Sequence, residues 1–407
     1  MCERIMNVCC RSLIVCILSL SAVFFMWTHG GAESVRGVTD TSVKIGVILD
    51  QTGPIAGDVT LPVTEAVKNY THHINDTGGI FGRKVKLIVE DDRYSIPTGI
   101  AAFKKLLFKD KIFALLGPAN TGEGKALLPR IEKLKVPNIT GVLDESMIIP
   151  LRKYIFLPFT PYYDQFGVIY DHIVNDLKPK ELNIVLVCPD VDYGKMGVEY
   201  SKRWADSLKF DFTREIVNFG ALDATSQVMS IKRRKPTHIV MHHASVGTVA
   251  LMRDLKKFGV NVPVYGTMPT CTEDTVRMGG DASKNYVGVH GFSSWYDDFQ
   301  GVKDMRKITL KYKPGTEQPV RSKLYTAGWI IATVVYEGIR KCGKDLSVEN
   351  FINALESMRD YDSKGLCGPI TFTPTNHQGL HHSKFFKADP QSGRLVPISD
   401  WKKAPKK

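Results

Sequence analysis

Residues 43–54 read VKIGVILDQTGP and contain the clearest indication of the architecture. Residues 43–49 form a short apolar run rich in branched side chains, which is typical of a buried β-strand. A glycine-proline turn follows, and a helical pattern extends over residues 61–74 before the pair Gly78-Gly79 ends it. A buried strand, a turn and a helix in this order predict one unit of a parallel α/β sheet.

The same alternation recurs along the chain. Short apolar runs predict further strands at residues 85–89, 113–116, 184–187, 238–241 and 287–289. Helical patterns fill the intervals, at residues 97–108, 124–134, 165–177, 196–208 and 246–258. Regular alternation of strands and helices is typical of parallel sheets with helices on both faces, so we predict the α/β class.

Three interruptions of this alternation predict a chain that is divided between two lobes. They fall at residues 156–161, 291–295 and 365–369. Because 407 residues exceed what one hydrophobic core supports, we interpret each interruption as a crossing between lobes. The helical pattern at residues 322–340 is expected to return to the first lobe. These expectations place lobe I at residues 33–158 and 295–365, and lobe II at residues 159–294 and 366–407.

The N-terminal segment has the features of a secretory signal peptide. Arg4 and Arg11 accompany an apolar run at residues 13–27, and the small residues Gly30-Gly31-Ala32 follow. The apolar run is shorter than the roughly 20 residues that a membrane span needs, which disfavours the alternative of an uncleaved anchor. We predict a signal peptide at residues 1–32, cleavage after Ala32 and a periplasmic or other extracytoplasmic location.

Four cysteines would remain after that cleavage: Cys188, Cys271, Cys342 and Cys367. No two of them have C-x-x-C spacing, which disfavours a thiolate metal site. In an oxidising compartment an even number permits disulfides, and Cys342 with Cys367 is the preferred pair because the two bracket one helix-sized segment. Four buried thiols are the alternative.

The charge distribution argues against a nucleic-acid partner. The formal net charge is +12, but the basic residues are scattered apart from the tail at residues 402–407. A nucleic-acid-binding protein concentrates its basic residues on one element, with aromatic residues between them. The positive charge is therefore interpreted as a contribution to solubility and to the attraction of anionic ligands.

Motifs for catalysis, cofactors and metals are missing from the sequence. There is no G-x-S-x-G elbow, and Ala126 stands where a phosphate-binding loop would need serine or threonine after Gly124-Lys125. Six of the eleven histidines form three adjacent pairs, at residues 72–73, 242–243 and 381–382, and the side chains of such a pair cannot share one helix face. Asp91-Asp92 follows the second strand, where acidic residues more often cap a turn than bind a metal. We therefore predict no catalytic residue, no cofactor and no metal.

Two polar turns at the ends of predicted strands are the candidate binding segments, because ligands of open α/β sheets bind at the carboxyl ends of strands. Residues 117–122 include Asn120 and Thr121 at the start of a predicted helix, where amides and a hydroxyl favour an anion. The alternative is that these two residues only cap the helix. Residues 138–144 include Thr140, whose hydroxyl would complete an anion site.

Several motifs together resemble a known family. They are Ile45-Gly46-Val47 with Thr52-Gly53-Pro54, Ile74-Asn75 with Gly78-Gly79-Ile80-Phe81-Gly82-Arg83, Glu90-Asp91-Asp92, Leu116-Gly117-Pro118 and Asp192-Tyr193-Gly194. In this combination they resemble the branched-chain amino-acid binding proteins of ABC transporters over nearly the whole chain. The resemblance implies a two-lobed type I periplasmic-binding fold with three hinge crossovers. It also implies a monomer that is not an enzyme, captures a small organic ligand by lobe closure and delivers it to a membrane permease.

The resemblance further implies where the ligand carboxylate would bind. A hydroxyl and amides of the loop that matches Asn120 and Thr121 hold it in the family. The segment that matches Thr140, Gly141 and Asp144 holds it from the neighbouring strand. These five residues are therefore expected in the site.

Aromatic side chains are expected to line the rest of the cleft. Tyr193 matches a tyrosine that lines the second lobe in the family. Tyr325 begins a long helical pattern and Trp295 follows the second crossing, so the cleft is one expected position for both rings. Packing in the core or the hinge is the alternative for these two.

One departure from the family pattern bears on the ligand. Family members that bind α-amino acids carry a glutamate after the strand near residues 264–265, and it pairs with the ligand ammonium; this chain reads Gly266-Thr267-Met268-Pro269-Thr270 there. A buried ammonium without a carboxylate is costly, so either Asp144 or Glu273 substitutes or the ligand has no amine. Met268 would offer a soft apolar contact. The sequence therefore favours an aromatic or aliphatic carboxylate over an amino acid, with an amide-binding receptor or an extracytoplasmic sensor as alternatives.

Overall fold

The computed structural model describes residues 35–315 and 321–405. The predicted signal peptide, residues 1–32, lies outside the described residues. The chain divides into the units Met1–Val35 and Arg36–Lys407, and the second unit contains the strands and helices that the structure describes. Among the described residues, no helix is both long enough and apolar enough to cross a membrane.

A five-stranded sheet occupies the first part of the described chain. The strands are Ser42–Leu49 (β1), Lys84–Asp91 (β2), Ala114–Leu116 (β3), Asn138–Ile139 (β4) and Ile155–Phe156 (β5). They lie in the order β2-β1-β3-β4-β5, and each neighbouring pair is parallel. Strand β1 is buried along nearly its whole length, as expected for a parallel strand that is covered on both faces.

A seven-stranded sheet follows. Its strands are Ile184–Cys188 (β6), Phe212–Ile216 (β7), His238–Met241 (β8), Val264–Gly266 (β9), Tyr286–His290 (β10), Lys384–Asp389 (β11) and Arg394–Pro397 (β12). Their order is β12-β11-β10-β9-β8-β6-β7. Strands β6 to β10 are parallel to one another, whereas β11 and β12 extend the sheet beyond β10 in antiparallel pairing.

The α-helices alternate with these strands. They are Leu61–Asp76 (α1), Ile96–Lys104 (α2), Thr121–Lys133 (α3), Tyr162–Asp171 (α4), Asp192–Leu208 (α5), Thr225–Arg234 (α6), Ser245–Lys257 (α7), Glu273–Gly279 (α8), Gln300–Tyr312 (α9), Lys323–Cys342 (α10) and Val348–Glu356 (α11). Two parallel sheets flanked by helices in this way confirm the predicted fold class.

Helices α9 to α11 return to the first sheet, although they follow β10 in the sequence. Helices α9 and α10 both pack against α1, and α11 packs against α10. Helix α10 begins where the Ser322 side chain accepts a hydrogen bond from the Leu324 N–H, and it ends at Gly343, which has φ = 64°. We define lobe I as the five-stranded sheet with α1–α3 and α9–α11, and lobe II as the seven-stranded sheet with α4–α8. The residue boundaries predicted for the lobes stay a prediction.

Within the described residues, the chain passes between the lobes three times: between β5 and α4, between β10 and α9, and between α11 and β11. Isolated β-bridges join these connections, one between Leu157 and Gln378 and one between Phe292 and Cys367. The Phe156 ring stacks on His377 with ring centroids 3.8 Å apart. The first and third connections are therefore packed together.

The four cysteines of the described chain are free thiols. The preferred pairing of Cys342 with Cys367 is therefore wrong for this structure. The alternative of four buried thiols is right for Cys188, Cys271 and Cys367, whereas Cys342 is unpaired but only partly buried. The Cys342 thiol donates to the Gly338 carbonyl oxygen one turn earlier in α10, whereas the Cys367 thiol bonds to the Ser363 hydroxyl. Each thiol is thus engaged within its own segment.

Candidate functional site

Each sheet has a point at which its strand order reverses. In lobe I, β2 and β3 lie on opposite sides of β1, and in lobe II, β7 and β8 lie on opposite sides of β6. Ligands of open α/β sheets bind outside the carboxyl ends of the strands at such points. The segments that follow β1, β3, β6 and β8 are therefore where a site is expected.

A cavity that is open to solvent on one side lies at these strand ends. From its strand ends, lobe I contributes Leu49, Leu116, Gly117, Gly141 and Leu143. From the turns after its strands, lobe II contributes Tyr193, His243, Ala244, Met268 and Pro269. Both reversal points thus open onto one space.

The lining of this cavity is almost entirely apolar. Within the described residues it includes no aspartate, glutamate, lysine or arginine. Its polar side chains are Thr60, Tyr94, Tyr162, Tyr193 and His243. Burial lowers the pKa of His243, so this imidazole is neutral near neutral pH. The cavity therefore offers hydrocarbon, aromatic rings and uncharged polar groups.

Stacked rings support the lobe II side of the cavity. Tyr193 stacks on His242 with ring centroids 3.8 Å apart, and the Tyr162 ring meets Tyr193 and His242 edge-on at 5.4 and 4.8 Å. His242 Nδ1 lies 3.0 Å from Thr267 Oγ1, and Nε2 lies 3.2 Å from the Tyr193 carbonyl oxygen. Burial holds the pKa of His242 well below its ordinary value. The neutral His242 imidazole is held by hydrogen bonds at both ring nitrogens, and the Tyr193 ring that stacks on it is therefore fixed in place.

The cavity brings together three of the residues that the sequence predicted for the site: Gly141, Tyr193 and Met268. They come from the turn after β4, the first turn of α5 and the 3₁₀ turn Met268–Thr270 after β9. The Met268 N–H donates to Gln165 Oε1 at 2.8 Å, which fixes this turn against α4. Residues of both lobes thus meet around one space, as closure on a ligand requires.

Three predicted polar residues lie in nearby turns but are not among the lining residues. Asn120 is the N-cap of α3, and its side chain accepts a hydrogen bond from the Glu123 N–H. Thr121 is buried as the first residue of α3. Thr140 Oγ1 accepts a hydrogen bond from the Val142 N–H at 3.0 Å. Contact of Asn120, Thr121 and Thr140 with a ligand stays a prediction.

The two carboxylates considered as partners for a ligand ammonium are engaged elsewhere. Asp144 lies 2.8 Å from the Lys125 ammonium and accepts a hydrogen bond from the Tyr200 hydroxyl at 2.7 Å. Burial opposes ionisation of Asp144, but Lys125, the Tyr200 hydroxyl and the Ser146 N–H together outweigh burial and lower its pKa. Glu273 accepts a hydrogen bond from the Lys323 N–H at 2.8 Å, and burial raises its pKa. Neither carboxylate is among the lining residues, so ligand contact by Asp144 stays a prediction.

Trp295 and Tyr325 pack against each other edge to face, with ring centroids 5.7 Å apart. The Tyr325 hydroxyl accepts a hydrogen bond from the Asn69 amide at 2.9 Å and bonds to the Thr309 hydroxyl at 2.8 Å. Asn69 lies on α1 and Thr309 on α9, so Tyr325 joins these helices inside lobe I. Neither Trp295 nor Tyr325 is among the lining residues, and their contact with a ligand stays a prediction.

Sequence patterns did not signal most of the lining residues. On the cleft side these include Tyr94, Phe159, Tyr162 and Phe219. Phe159 lies in the segment that the sequence predicted as the first crossing between the lobes, and a position in that crossing indicates that a residue lies near the cleft. Tyr94 has a positive φ of 56° in the turn after β2. Residues other than glycine rarely adopt this backbone conformation, and no apolar pattern in the sequence predicts it.

Contacts between the lobes hold the cleft in a closed arrangement. The Asp58 carboxylate of lobe I accepts a hydrogen bond at 3.2 Å from the Val246 N–H, in the first turn of α7 of lobe II. The Tyr200 hydroxyl of α5 accepts a hydrogen bond from the Glu145 N–H at 3.0 Å while it donates to Asp144. A carboxylate is favourable at a helix N-terminus, and opening of the cleft would break both sets of bonds.

Three aspartates gather at the carboxyl ends of β1 and β2. Asp50, Asp91 and Asp92 have carboxylate oxygens within 4.8 Å of one another. Backbone N–H groups of the following turns donate to them, for example from Gln51 to Asp91 at 2.8 Å and from Tyr94 to Asp92 at 2.7 Å. This is the arrangement expected of acidic residues that cap turns.

A buried pair of carboxyl groups lies beside these turns. Glu123 of α3 and Asp92 are both fully buried, and the Glu123 carboxyl packs against Gly99 of α2. Burial, followed by the negative charge of Asp92, raises the pKa of Glu123 to about 10. Glu123 therefore carries a proton near neutral pH and can donate it to Asp92 in a hydrogen bond.

Replacing Glu123 by glutamine is expected to stabilise the protein increasingly as the pH rises. The folded-state pKa of about 10 lies above the ordinary value of 4.5, so the wild-type side chain contributes fully below pH 4.5 and loses its contribution as the pH rises towards 10. Glutamine cannot ionise and escapes this loss. We expect the unfolding free energies of the two proteins to diverge by about 2 kcal/mol or more between about pH 5 and about pH 9, measured by thermal melting. A difference that stays constant with pH would show that Glu123 holds no extra proton.

Solved structures share this fold over nearly the whole chain. A branched-chain amino acid ABC transporter protein from Thermus thermophilus, solved with bound valine, has a TM-score of 0.83 at 24% identity and covers 90% of this chain and 97% of its own. A fatty acid ABC transporter substrate-binding protein from Thermomonospora curvata has a TM-score of 0.79 at 22% identity, with 92% and 96% covered. The branched-chain amino acid transporter substrate-binding protein of Streptococcus pneumoniae, in complex with isoleucine, has a TM-score of 0.75 at 17% identity, with 88% and 99% covered. At these identities the likeness establishes the fold.

The family model for periplasmic binding proteins matches residues 42–394. That span reaches from the start of β1 to the first residue of β12 and includes both sheets and the cavity. The resemblance drawn from the sequence motifs is thereby confirmed. The chain belongs to the periplasmic binding protein family, in its two-lobed type I fold.

Proposed function

We propose that this protein is the extracytoplasmic solute-binding component of an ABC importer, and that its ligand is a mainly apolar molecule with one polar end that is uncharged when bound. The open protein admits the ligand, contacts from both lobes favour the closed state, and the closed surface is recognised by a membrane permease. The ligand leaves chemically unchanged. Export is directed by the predicted signal peptide.

The observation that carries this proposal is the absence of charged side chains from the cavity lining within residues 35–315 and 321–405. A free amino acid brings an ammonium and a carboxylate, and burying either one without a partner is costly. Asp144 and Glu273 are already bonded to other groups of the protein. An apolar ligand needs no such partner, and burial of its hydrocarbon surface is favourable.

The position expected for a ligand carboxylate is also unfavourable for a second negative charge. Asn120 already accepts the hydrogen bond of the Glu123 N–H at the start of α3. The Asp192 carboxylate of lobe II lies against Gly122 in the same turn. A ligand carboxylate there would be repelled by Asp192 at short range. We therefore infer that an acid binds in its neutral form, and that an amide or an alcohol can replace it.

The fold itself does not select the ligand class. Proteins of this fold have been solved with bound valine and with bound isoleucine, and another is named for fatty acids. Zwitterionic and hydrocarbon ligands are therefore both compatible with the architecture. The side chains that line the cavity therefore determine which class of ligand binds, and their lack of charge supports an apolar ligand.

A thermal-shift panel tests the proposal. Octanamide, octanol, octanoic acid and octylamine share one chain and differ in their end group, and leucine, isoleucine, valine and phenylalanine form the comparison set. A ligand that binds only the folded protein stabilises it, by about 2.7 kcal/mol at about 100 times its Kd. We expect octanamide and octanol to raise the melting temperature more than any amino acid. Octanoic acid should become more effective as the pH falls, because more of it is protonated.

Other results of the panel would contradict separate parts of the proposal. Stabilisation by amino acids alone would overturn the apolar ligand class. Chemical turnover of a panel compound, followed by NMR, would overturn the non-enzymatic role. Binding of octylamine in preference to octanamide would show that the polar end is recognised as a cation.

A further inference from the structure

The cavity continues from the cleft into the interior of lobe I. Its cleft part is bounded by aromatic residues of both lobes, among them Tyr94 and Tyr193. Its inner part, here termed the inner branch, is lined by Val47, Val63, Val67, Leu324, Ala327 and Ile331. These six side chains are pure hydrocarbon, and the most exposed of them, Val63, is only 8% exposed. The inner branch is therefore an apolar space in the core of one lobe.

Three elements of lobe I form the inner branch. Val63 and Val67 are four residues apart and lie on one face of α1, and Ala327 and Ile331 lie on one face of α10 in the same way. Val47 lies two residues before Leu49 in β1 and shares its face of the sheet. The branch thus runs between two packed helices and the sheet beneath them.

The size of the residue at position 327 of α10 controls how much of this space is open. One residue further on, a Cβ atom at Gly328 would overlap the Val63 carbonyl oxygen, so α1 and α10 are in direct contact there and the spacing of the two helices is fixed. The preceding residue, Ala327, presents only a methyl group to the branch. A larger side chain at position 327 would occupy volume that is now part of the cavity.

We propose that the inner branch binds an unbranched hydrocarbon chain of the ligand, while the polar end stays in the cleft. Leu324 and Ile331 both line the branch and are seven residues apart on α10, which separates them by about 10 Å along the helix axis. An extended octyl chain has about this length, whereas the side chain of valine would leave the inner end empty and lose its contacts there. This inference rests on the proposed function, because a chain reaches the branch only if the cleft admits an apolar molecule.

A series of straight-chain primary amides, from butanamide to dodecanamide, tests the inference on the wild-type protein by calorimetry. Each methylene that is buried should strengthen binding about fourfold as far as octanamide. The gain should end once the chain reaches Val67 and Ile331, because longer chains have to displace packed side chains. A branched isomer of octanamide should bind about tenfold more weakly than octanamide itself, since the branch adds width.

Two substitutions change the volume of the inner branch in opposite directions. Ala327→Leu fills it and should weaken octanamide about tenfold more than butanamide. Ile331→Ala lengthens it and should move the tightest-binding chain beyond octanamide. Ile339→Ala is the matched control, because Ile339 is buried further along the same helix and does not line the cavity. The control should lower the melting temperature without changing the preferred chain length.

The outcomes distinguish this inference from the proposed function. Amides that bind with the same affinity at every chain length, in the wild type and in both variants, would overturn the inner branch as a chain site and leave the apolar ligand class standing. A phenyl amide that binds more tightly than octanamide would overturn it as well and assign the branch to a ring. Binding of amino acids alone, with no amide bound, would instead be the failure of the proposed function.

Discussion

Gly122→Leu is expected to lower the affinity for octanamide about 100-fold while the unliganded protein stays folded. Gly122 lies in the first turn of α3 in lobe I, and the Asp192 side chain of lobe II closes against it. A Cβ atom at position 122 would overlap an Asp192 carboxylate oxygen and approach Ile96 Cδ1 to 2.8 Å. A leucine would press on the Asp192 side chain of lobe II as well as on Ile96 of lobe I, so it is expected to disfavour the closed arrangement.

The size of this effect follows from the link between closure and binding. A ligand that both lobes contact binds in proportion to the fraction of protein that can close. Overpacking that opposes closure by about 3 kcal/mol weakens binding about 100-fold. Calorimetry measures the affinity, and small-angle X-ray scattering measures closure as a decrease in the radius of gyration. The decrease that ligand causes in the wild type should be absent from the variant.

Gly57→Leu is the matched control for this substitution. Gly57 is exposed, and nothing lies within 4 Å of the position that its Cβ atom would take. Adding Asp192→Ala to Gly122→Leu removes the group that the leucine meets and should restore part of the affinity. If the single variant Gly122→Leu binds octanamide as tightly as the wild type does, the closed arrangement is not the state that binds the ligand.

Met268→Glu is expected to weaken octanamide binding about 100-fold or more. Met268 lines the cavity after β9 and is 7% exposed. A glutamate there would place a carboxylate in a lining that has no cation to pair with it, within the part of the chain that the structure describes. An ionised carboxylate keeps its water and excludes an apolar ligand, so the loss should be largest at high pH and recover as the pH falls.

The same substitution is expected to favour an amine. An ammonium ligand would pair with the new carboxylate, so octylamine should bind Met268→Glu more tightly than it binds the wild type. The matched control is Met268→Leu, which nearly conserves volume and should retain octanamide binding. Octanamide affinity that is the same in Met268→Glu as in the wild type would place position 268 outside the ligand contacts. A glutamate after this strand is also what the family resemblance associates with α-amino acids.

Much of the fold could be predicted because parallel sheets repeat one simple pattern. The apolar run at residues 43–49 corresponds to β1, Ser42–Leu49, and the helical pattern at residues 322–340 corresponds to α10. Strands β4 and β5 have two residues each, and such short segments show no periodicity. Strand β7 is only partly buried and carries charged residues, so its apolar pattern is weak.

The candidate site was less predictable, because its residues have the pattern of an ordinary core. Val63 and Ala327 recur at helical spacing like any buried side chain, and spacing does not distinguish a residue that faces a neighbour from one that faces a cavity. Tyr193 and Met268 were found through strand-end positions and family motifs. For Asn120 the sequence left both ligand binding and helix capping open, and its bond to the Glu123 N–H corresponds to the capping alternative.

The inner branch belongs to lobe I alone, and this determines how a ligand could leave. Separation of the lobes withdraws the walls that Tyr193 and Met268 provide, but it leaves Val67, Ala327 and Ile331 where they were. A docked chain would have to slide out along its own axis, and each extra carbon would lengthen its stay on the opened protein. The permease would then receive the molecule with its polar end leading and its hydrocarbon tail last.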